Sequence, residues 1–579
     1  MATTTLETAA PRGGRRWRFS GAWMPVLGVG GLLVWLVVVP LVLMLISSVR
    51  PTGFPMEAGF TLEHYVNTYT DARFWDLAGN TAIFAVGSTL FALLIGIVLA
   101  WLVERTDMPL KGLVRTMVIL PMATPPVLLA IAWVMLLSPR TGEINALLSA
   151  VFGLEDAVFN IYSLAGMIFV EGLSLVPSTF LILSPAFRNM DPSLEEAAMV
   201  SGAGVWTLLR RVVLPLLAPA ILAAAVFLLI VGFVVFDIPG AIGLPAGIFT
   251  LSSRIYYLAH DNPTGLPDYG QISAMAIFFL GGLLVLAFAF QHYTRRASKF
   301  TTITGKGFRP RTFKLRRWRW PAFALAAAYF TLAVLAPLAI LLWTSFMPYQ
   351  TGISADAFGL LTTGNHESFF SNRFAIRATT NSVIIALVAA SVVALLSVLV
   401  SWIVVKSKAP GRKVIDILSF MPLAIPGVLI GTALIYVYLT VNFLPIYGSV
   451  WIIVIAYVTT YLSFGSRTTH GVMLQIHNDL EDAARTSGAG WTRTMRRIVV
   501  PLAAPAIAAV WVWVLAHCMR ELSSALMLQG RTNETLPVLL FGYWTGGEPN
   551  KAAAVGVWLI LALLIVVGVW QALTRRREA

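Results

Sequence analysis

Residues 194–219 read LEEAAMVSGAGVWTLLRRVVLPLLAP, and residues 480–505 read LEDAARTSGAGWTRTMRRIVVPLAAP. Fifteen of these 26 positions are identical without a gap, at a constant offset of 286 residues. A match of that length within one chain marks an internal repeat, and the repeat governs how the rest is read. A second match pairs NTAIFAVGSTLFALLIGIVLAWLVERTDMP, from Asn80, with NSVIIALVAASVVALLSVLVSWIVVKSKAP, from Asn381. It sets Trp101 over Trp402 and Pro109 over Pro410 at an offset of 301, and LPMATPP (120–126) over MPLAIPG (421–427) at the same offset. The fall from 301 to 286 places fifteen extra residues in the first half, within the loop containing SPRTGEINALLSAVFGLEDAVFN.

The 579 residues are 58% hydrophobic and only 12% charged. Soluble domains carry about a quarter charged residues, so lipid is the solvent this composition fits. The apolar runs are continuous rather than alternating, which points to helices and not to a barrel. Twelve runs qualify as spans: 24–49, 80–103, 116–137, 161–187, 212–236, 271–292, 321–346, 381–405, 414–440, 444–465, 498–519 and 552–573. Six fall in each half, so the two halves share one orientation. The expected fold is an all-α polytopic membrane protein of two tandem six-span units. Parallel repeats of this kind relate by a pseudo-two-fold axis along the membrane normal, with a pathway between them. The units are 24–292 and 321–574, joined by a basic linker (293–320) and flanked by tails at 1–23 and 575–579.

A net charge of +14 raises the question of nucleic acid, but the distribution answers it. With the N-terminus inside, 32 of the 41 Lys and Arg fall in cytoplasmic segments. The other segments hold 9 Lys and Arg against 16 of the 27 acids. That is the positive-inside bias of a multi-pass inner-membrane protein with both termini cytoplasmic. The largest basic block, RRASKFTTITGKGFRPRTFKLRRWRW (295–320), reads as a solvated linker touching anionic headgroups. The N-terminal arginines precede an apolar run too long for a signal-peptide core, so that run is expected to be an uncleaved first span. One cysteine, Cys518, excludes an intrachain disulfide framework and a cysteine-cluster metal site.

The repeated segment is a loop between the fourth and fifth spans of each half, and lipid packing gives no reason for its likeness. Ser193 and Asp479 are N-cap candidates, each followed three residues on by an acid, Glu196 and Asp482. Glu195 and Glu481 add charge in the first turn, where the helix dipole favours it. Ala197, Ala198, Ala483 and Ala484 offer a surface with little side-chain bulk. SGAG, at 201–204 and 487–490, stops or bends the helix. Pro215 and Pro501 fall in the opening turns of the following spans. A lone interfacial helix explains one such loop; two with the same spacing point to a docking element.

EEAAMVSGAGVWTLLRRVVLP and EDAARTSGAGWTRTMRRIVVP resemble the EAA motif of permease subunits of bacterial ATP-binding-cassette importers. That motif is Glu-Ala-Ala, a three-residue gap, Gly, then Ile-x-Leu-Pro nine residues later. It runs here as Glu196-Ala197-Ala198 to Gly202, then Val212 to Pro215, with Asp482 and Gly488 in the second copy. Asp482 stands where Glu is usual and Val500 where Leu is usual before Pro501, so two similar but unequal sites are implied. The resemblance implies a coupling helix in each half, seated in a groove of an ATPase subunit. The chain has no G-x-x-x-x-G-K-[ST], so ATP and Mg belong to that partner, expected as two copies. No cofactor is expected on this chain, nor are the paired carboxylates, triads or metal-ligand spacings of an enzyme. The further partners implied are an extracytoplasmic substrate-binding protein and the bilayer.

Ionisable residues in or beside spans are candidates for the pathway, because each is costly in lipid. They are Asp237, His517, Arg520 and Glu521, each also readable as an ordinary interfacial residue; Glu171 reads as structural. His517 and Glu521 stand one helical turn apart, as a hydrogen-bonded pair would. FDIPGAIGLPAGIFTLSSRIY (236–256) and RELSSALMLQGRTNETLPVLLFGYW (520–544) resemble segments of the fused permeases for ferric iron. Related permeases for 2-aminoethylphosphonate, thiamine and polyamines share parts of the pattern. Asp237 and Glu521 are hard oxygen donors of the type ferric iron takes. A gradient-driven secondary transporter is the alternative of another class, but the loop VERTDMPLKGLVR lacks the glycine-rich basic signature of the major facilitator group.

Overall fold

A computed structural model of the chain describes residues 23–190, 192–202, 204–260, 267–297, 312–407, 409–441 and 444–578. Among these, ten helices are long and apolar enough to cross a membrane. They are Pro25–Ser47, Ala72–Arg105, Leu164–Arg188, Leu209–Val234, Tyr269–Ala289, Arg316–Ser345, Arg373–Val405, Val450–Gln475, Trp491–Arg520 and Pro549–Val566. Two further spans, over the runs 116–137 and 414–440, are broken. Lys111–Ala123 meets Pro126–Leu137 at 96°, and Arg412–Ala424 meets Gly427–Thr440 at 114°. Both breaks fall in the repeated proline motif. A proline forces the preceding residue out of the helical region, and Thr124 (ψ 125°) and Ile425 (ψ 117°) are extended for that reason. Counting each bent pair once gives twelve spans, numbered first to twelfth below.

Pro215 and Pro501 do not open their spans. Each span continues the helix that starts at Val205 or Trp491, through a π-helical turn at Leu209–Val213 or Met495–Val499. The N–H of Leu214 donates to Leu209 O and that of Val500 to Met495 O, five residues back. The widened turn accommodates the proline ring that follows. Similar turns at Val34–Val38 and Thr331–Leu335 precede Pro40 and Pro337 in the first and seventh spans.

The two halves are not separate bodies, because each lends its first helix to the other. Val26, Val29 and Leu33 of the first span share a core with Val398, Trp402 and Ile415 of the second half. Trp35 Nε1 donates to Tyr438 Oη at 3.2 Å. In return, Tyr329 Oη of the seventh span donates to Leu173 O of the fourth at 3.3 Å.

Within each half the second and fourth spans pack through a small-residue contact, as membrane helices must when lipid removes the hydrophobic drive. A Cβ on Gly96 would lie 2.5 Å from Thr179 Cγ2. In the second half the roles exchange: Ser397 stands at the position of Gly96, and Gly465 at that of Thr179. Gly96→Ser is therefore expected to overpack the contact and cost about 1–3 kcal/mol. Adding Thr179→Gly copies the second half and is expected to recover most of it. Thermal unfolding midpoints of the purified variants check this; a double variant no better than the single would count against it.

Candidate functional site: two loop helices and a central polar cluster

The loop helices span Pro192–Val200 and Asn478–Thr486. Ser193 and Asp479 therefore lie inside the first turn rather than capping it, which corrects the N-cap expectation. His477 precedes the second helix, with its Nδ1 3.0 Å from Asp479 Oδ2. Gly202 (φ +82°) and Gly488 (φ +75°) end the two helices in the left-handed conformation that favours glycine. Both are exposed, and a Cβ on either would meet nothing within 4 Å.

Glu195 and Glu481 do not point at solvent. Glu195 Oε1 pairs with Arg105 at 2.5 Å, at the end of the second span, where the guanidinium is 2% exposed. Glu481 is buried and accepts from Trp402 Nε1 at 3.2 Å, at the end of the eighth span. Both acids thus tie their helices back onto the chain's own spans. Ala197 and Ala483 are exposed, Ala198 is half-buried and Ala484 is buried, so each alanine pair offers one member outward. Asp482 faces outward as well. The Glu196 side chain lies outside the described residues. Val200, 89% exposed, adds an apolar residue to the outer face of the first loop helix that the sequence reading did not select.

The second feature lies between the halves. The fifth span ends at Val234 and the eleventh at Arg520, 286 residues on. An extended residue follows each, Val235 or Glu521, and a short buried helix then turns back inward. Asp237 and Glu171 are buried here, and His517, Arg520 and Glu521 are half-buried. Arg520 donates across the halves to Met122 O, in the break of the third span. It also lies 3.1 Å from His517 Nε2, which accepts, while His517 Nδ1 donates to Trp513 O at 2.8 Å. The imidazole stacks on Trp513 with centroids 3.6 Å apart.

Glu521 and His517 do not pair, because the helix ends between them. The Glu521 carboxylate instead accepts from Ser524 N (3.1 Å), Ser524 Oγ (2.9 Å) and Ala525 N (3.4 Å), capping helix Ser523–Leu528. Glu171, Asp237, Glu521 and Arg520 are near enough for their charges to interact. Glu171 Oε2 has no hydrogen-bond partner among the described residues. No three His, Cys, Asp or Glu side chains converge as metal ligands among them either.

Residues 92–299 and 405–578 match the family described as the inner membrane component of binding-protein-dependent transport systems. The chain belongs to this family. The match is double, one copy in each half, as the repeat requires. The ferric transport system permease protein FbpB of Actinobacillus pleuropneumoniae is 24% identical over 455 residues, 78% of this chain and 64% of that protein. The chain therefore spans just under two thirds of that relative's length. A probable ABC transporter permease, y4fN of Sinorhizobium fredii, is 27% identical over 499 residues, 84% of this chain and 85% of that one. A solved bacterial ABC transporter involved in the import of the acidic polysaccharide alginate aligns at 22% identity and a TM-score of 0.35. That alignment covers 48% of this chain and 90% of that one.

Sequence reasoning selected the loop helices and four of the central residues, but not what holds them. Arg105 and Met122 were overlooked. Trp402 was noted only as a repeat match. Their signal was their place at the ends of matched segments, LAWLVER and LPMATPP, where spans meet loops.

Proposed function

We propose that this chain is the permease of an ATP-binding-cassette importer, with two separate ATPase subunits docking at 192–202 and 478–488. ATP and Mg bind on those subunits, and the chain itself hydrolyses nothing. The observation carrying this reading is the pair of glycine-terminated loop helices, exposed at their ends and anchored by an acid turned inward to the second span of each half. A push on either helix reaches a membrane-crossing helix through that anchor. The docking face is cytoplasmic by the positive-inside bias, and an extracytoplasmic binding protein delivers substrate to the opposite side.

Ferric iron is the proposed substrate. Similarity to permeases named for ferric transport supports this, together with the buried carboxylates Glu171 and Asp237 between the halves. The central carboxylates would meet the cation in passing, which suits a cargo that must leave again. Uptake of ferric iron into proteoliposomes holding the chain, its ATPase and its binding protein is expected to require MgATP on the ATPase side. Uptake driven by an ion gradient with no ATP present would sink the reading in favour of a secondary transporter. ATP-dependent uptake of 2-aminoethylphosphonate, thiamine or a polyamine in place of iron would keep the class and replace the substrate.

A further inference from the structure

The twin tryptophans Trp101 and Trp402 hold equivalent places but make different contacts. Trp402 donates to Glu481 of its loop helix, and its ring meets Trp491 of the next helix with centroids 5.5 Å apart. One side chain thus supports the second loop on both sides of its glycine turn. Trp101 instead faces Phe313 of the linker, with centroids 6.2 Å apart. The linker backbone pairs with the end of the second span there. Phe313 N–H donates to Arg105 O at 2.7 Å, and Asp107 N–H donates to Phe313 O at 2.9 Å. Leu315 N–H adds a bond to the Asp107 carboxylate at 2.7 Å.

With its tryptophan turned to the linker, the first half holds its loop helix through Arg105 and Glu195. Lys406 occupies the place of Arg105 in the second half, but it donates to Ile476 O and, at 2.8 Å, to Asn478 Oδ1. It steadies the stem of the second loop helix and leaves the acid to Trp402. The two anchors differ in kind, an ion pair in the first half and a neutral donor on a carboxylate in the second. Losing either leaves a charge without its partner: Glu195, 14% exposed, in the first half, and the buried Glu481, whose Oε1 already has none, in the second.

We propose, resting on the docking reading above, that the two docking sites transmit through different residues. Arg105, held in place by the linker strand at Phe313, is the positioning residue of the first site, and Trp402 is that of the second. The linker is then a working part of the first docking site and not of the second.

Amide hydrogen exchange of the full-length chain in lipid nanodiscs tests this without any partner. Arg105→Gln is expected to speed exchange in 192–202 by about tenfold or more while 478–488 stays within about twofold. Phe313→Ala, which leaves the ion pair chemically intact, should loosen 192–202 by a smaller factor. Trp402→Phe should loosen 478–488 instead, and Arg105→Lys should recover most of the first helix's protection. In the complex with its ATPase, Arg105→Gln should lower ferric iron taken up per ATP hydrolysed by about tenfold, and Trp402→Phe should lower it through the second site. Unchanged protection of 192–202 in both Arg105→Gln and Phe313→Ala, or equal loosening of both segments, overturns the proposal. So does a loosened 192–202 with uptake per ATP intact. Failure to bind any ATPase would instead overturn the docking reading, and the exchange result would still stand.

Discussion

Replacing Gly202 and Gly488 together by tryptophan is expected to abolish uptake while the chain still folds and inserts. Both glycines have positive φ, which costs an L-residue roughly 1–2 kcal/mol each. Both also open onto empty space, so the added side chain displaces nothing inside the permease. The strain is local and sits outside the membrane core. The bulk, however, projects from the turn that ends each loop helix, where the proposed ATPase groove closes. Uptake should fall by about 100-fold or more, equivalent to about 2.7 kcal/mol, with loss of co-purifying ATPase. Asparagine tolerates the left-handed conformation with far less bulk, so Gly202→Asn with Gly488→Asn separates the two effects. That variant should retain much of the activity. Normal uptake from the double tryptophan variant would remove the docking role from these turns.

Arg520→Met is expected to weaken the joint between the halves and to stop transport. Arg520 donates to Met122 O across the halves and to His517 Nε2 within its own helix. Methionine keeps the apolar stem and removes both donors, along with a positive charge close enough to act on Asp237. A hydrogen bond from a charged donor contributes about 1.5–3 kcal/mol, so a loss of about 2 kcal/mol is expected for this half-buried residue. The thermal midpoint should drop by a few degrees and ATP-driven uptake by more than about tenfold. Glu171→Gln provides the contrast. Its carboxylate is buried with an unpartnered oxygen, so replacing it by a neutral amide of the same size should leave the midpoint unchanged or higher. A midpoint raised by Arg520→Met, or lowered strongly by Glu171→Gln, would reverse this account of the cluster.

The repeat was legible because both of its signals are one-dimensional. Span count follows from hydropathy, and the loop match follows from identity at a constant offset. The breaks in the third and ninth spans were also written in the sequence, as LPMATPP and MPLAIPG. They were read as evidence of repetition and not as the bends that their prolines impose. The same holds for Pro215 and Pro501, whose widened turns come from the missing N–H two residues after each π-helical segment.

The central site was less legible. Asp237 and Glu521 carry no mark of burial, because an acid beside a span reads the same exposed to water as packed between helices. His517 and Glu521 have the spacing of a helical pair, yet the helix stops at Arg520 and the carboxylate caps the next helix instead. Spacing predicts contact only while the helix continues.

From sequence alone came the class of the molecule: two parallel six-span units in a membrane, with matched loop helices fit for an external partner. Local chemistry suffices for that, since the cost of apolar surface in water and of backbone polar groups in lipid is settled residue by residue. Tertiary structure alone decided which side chains bear the load. The exchange of first helices between halves, the turn of Glu195 onto Arg105 and Glu481 onto Trp402, and the linker strand on Phe313 all join residues far apart in the chain. Twin sequences folded against different neighbours made these contacts unequal, and no offset along the chain records a neighbour.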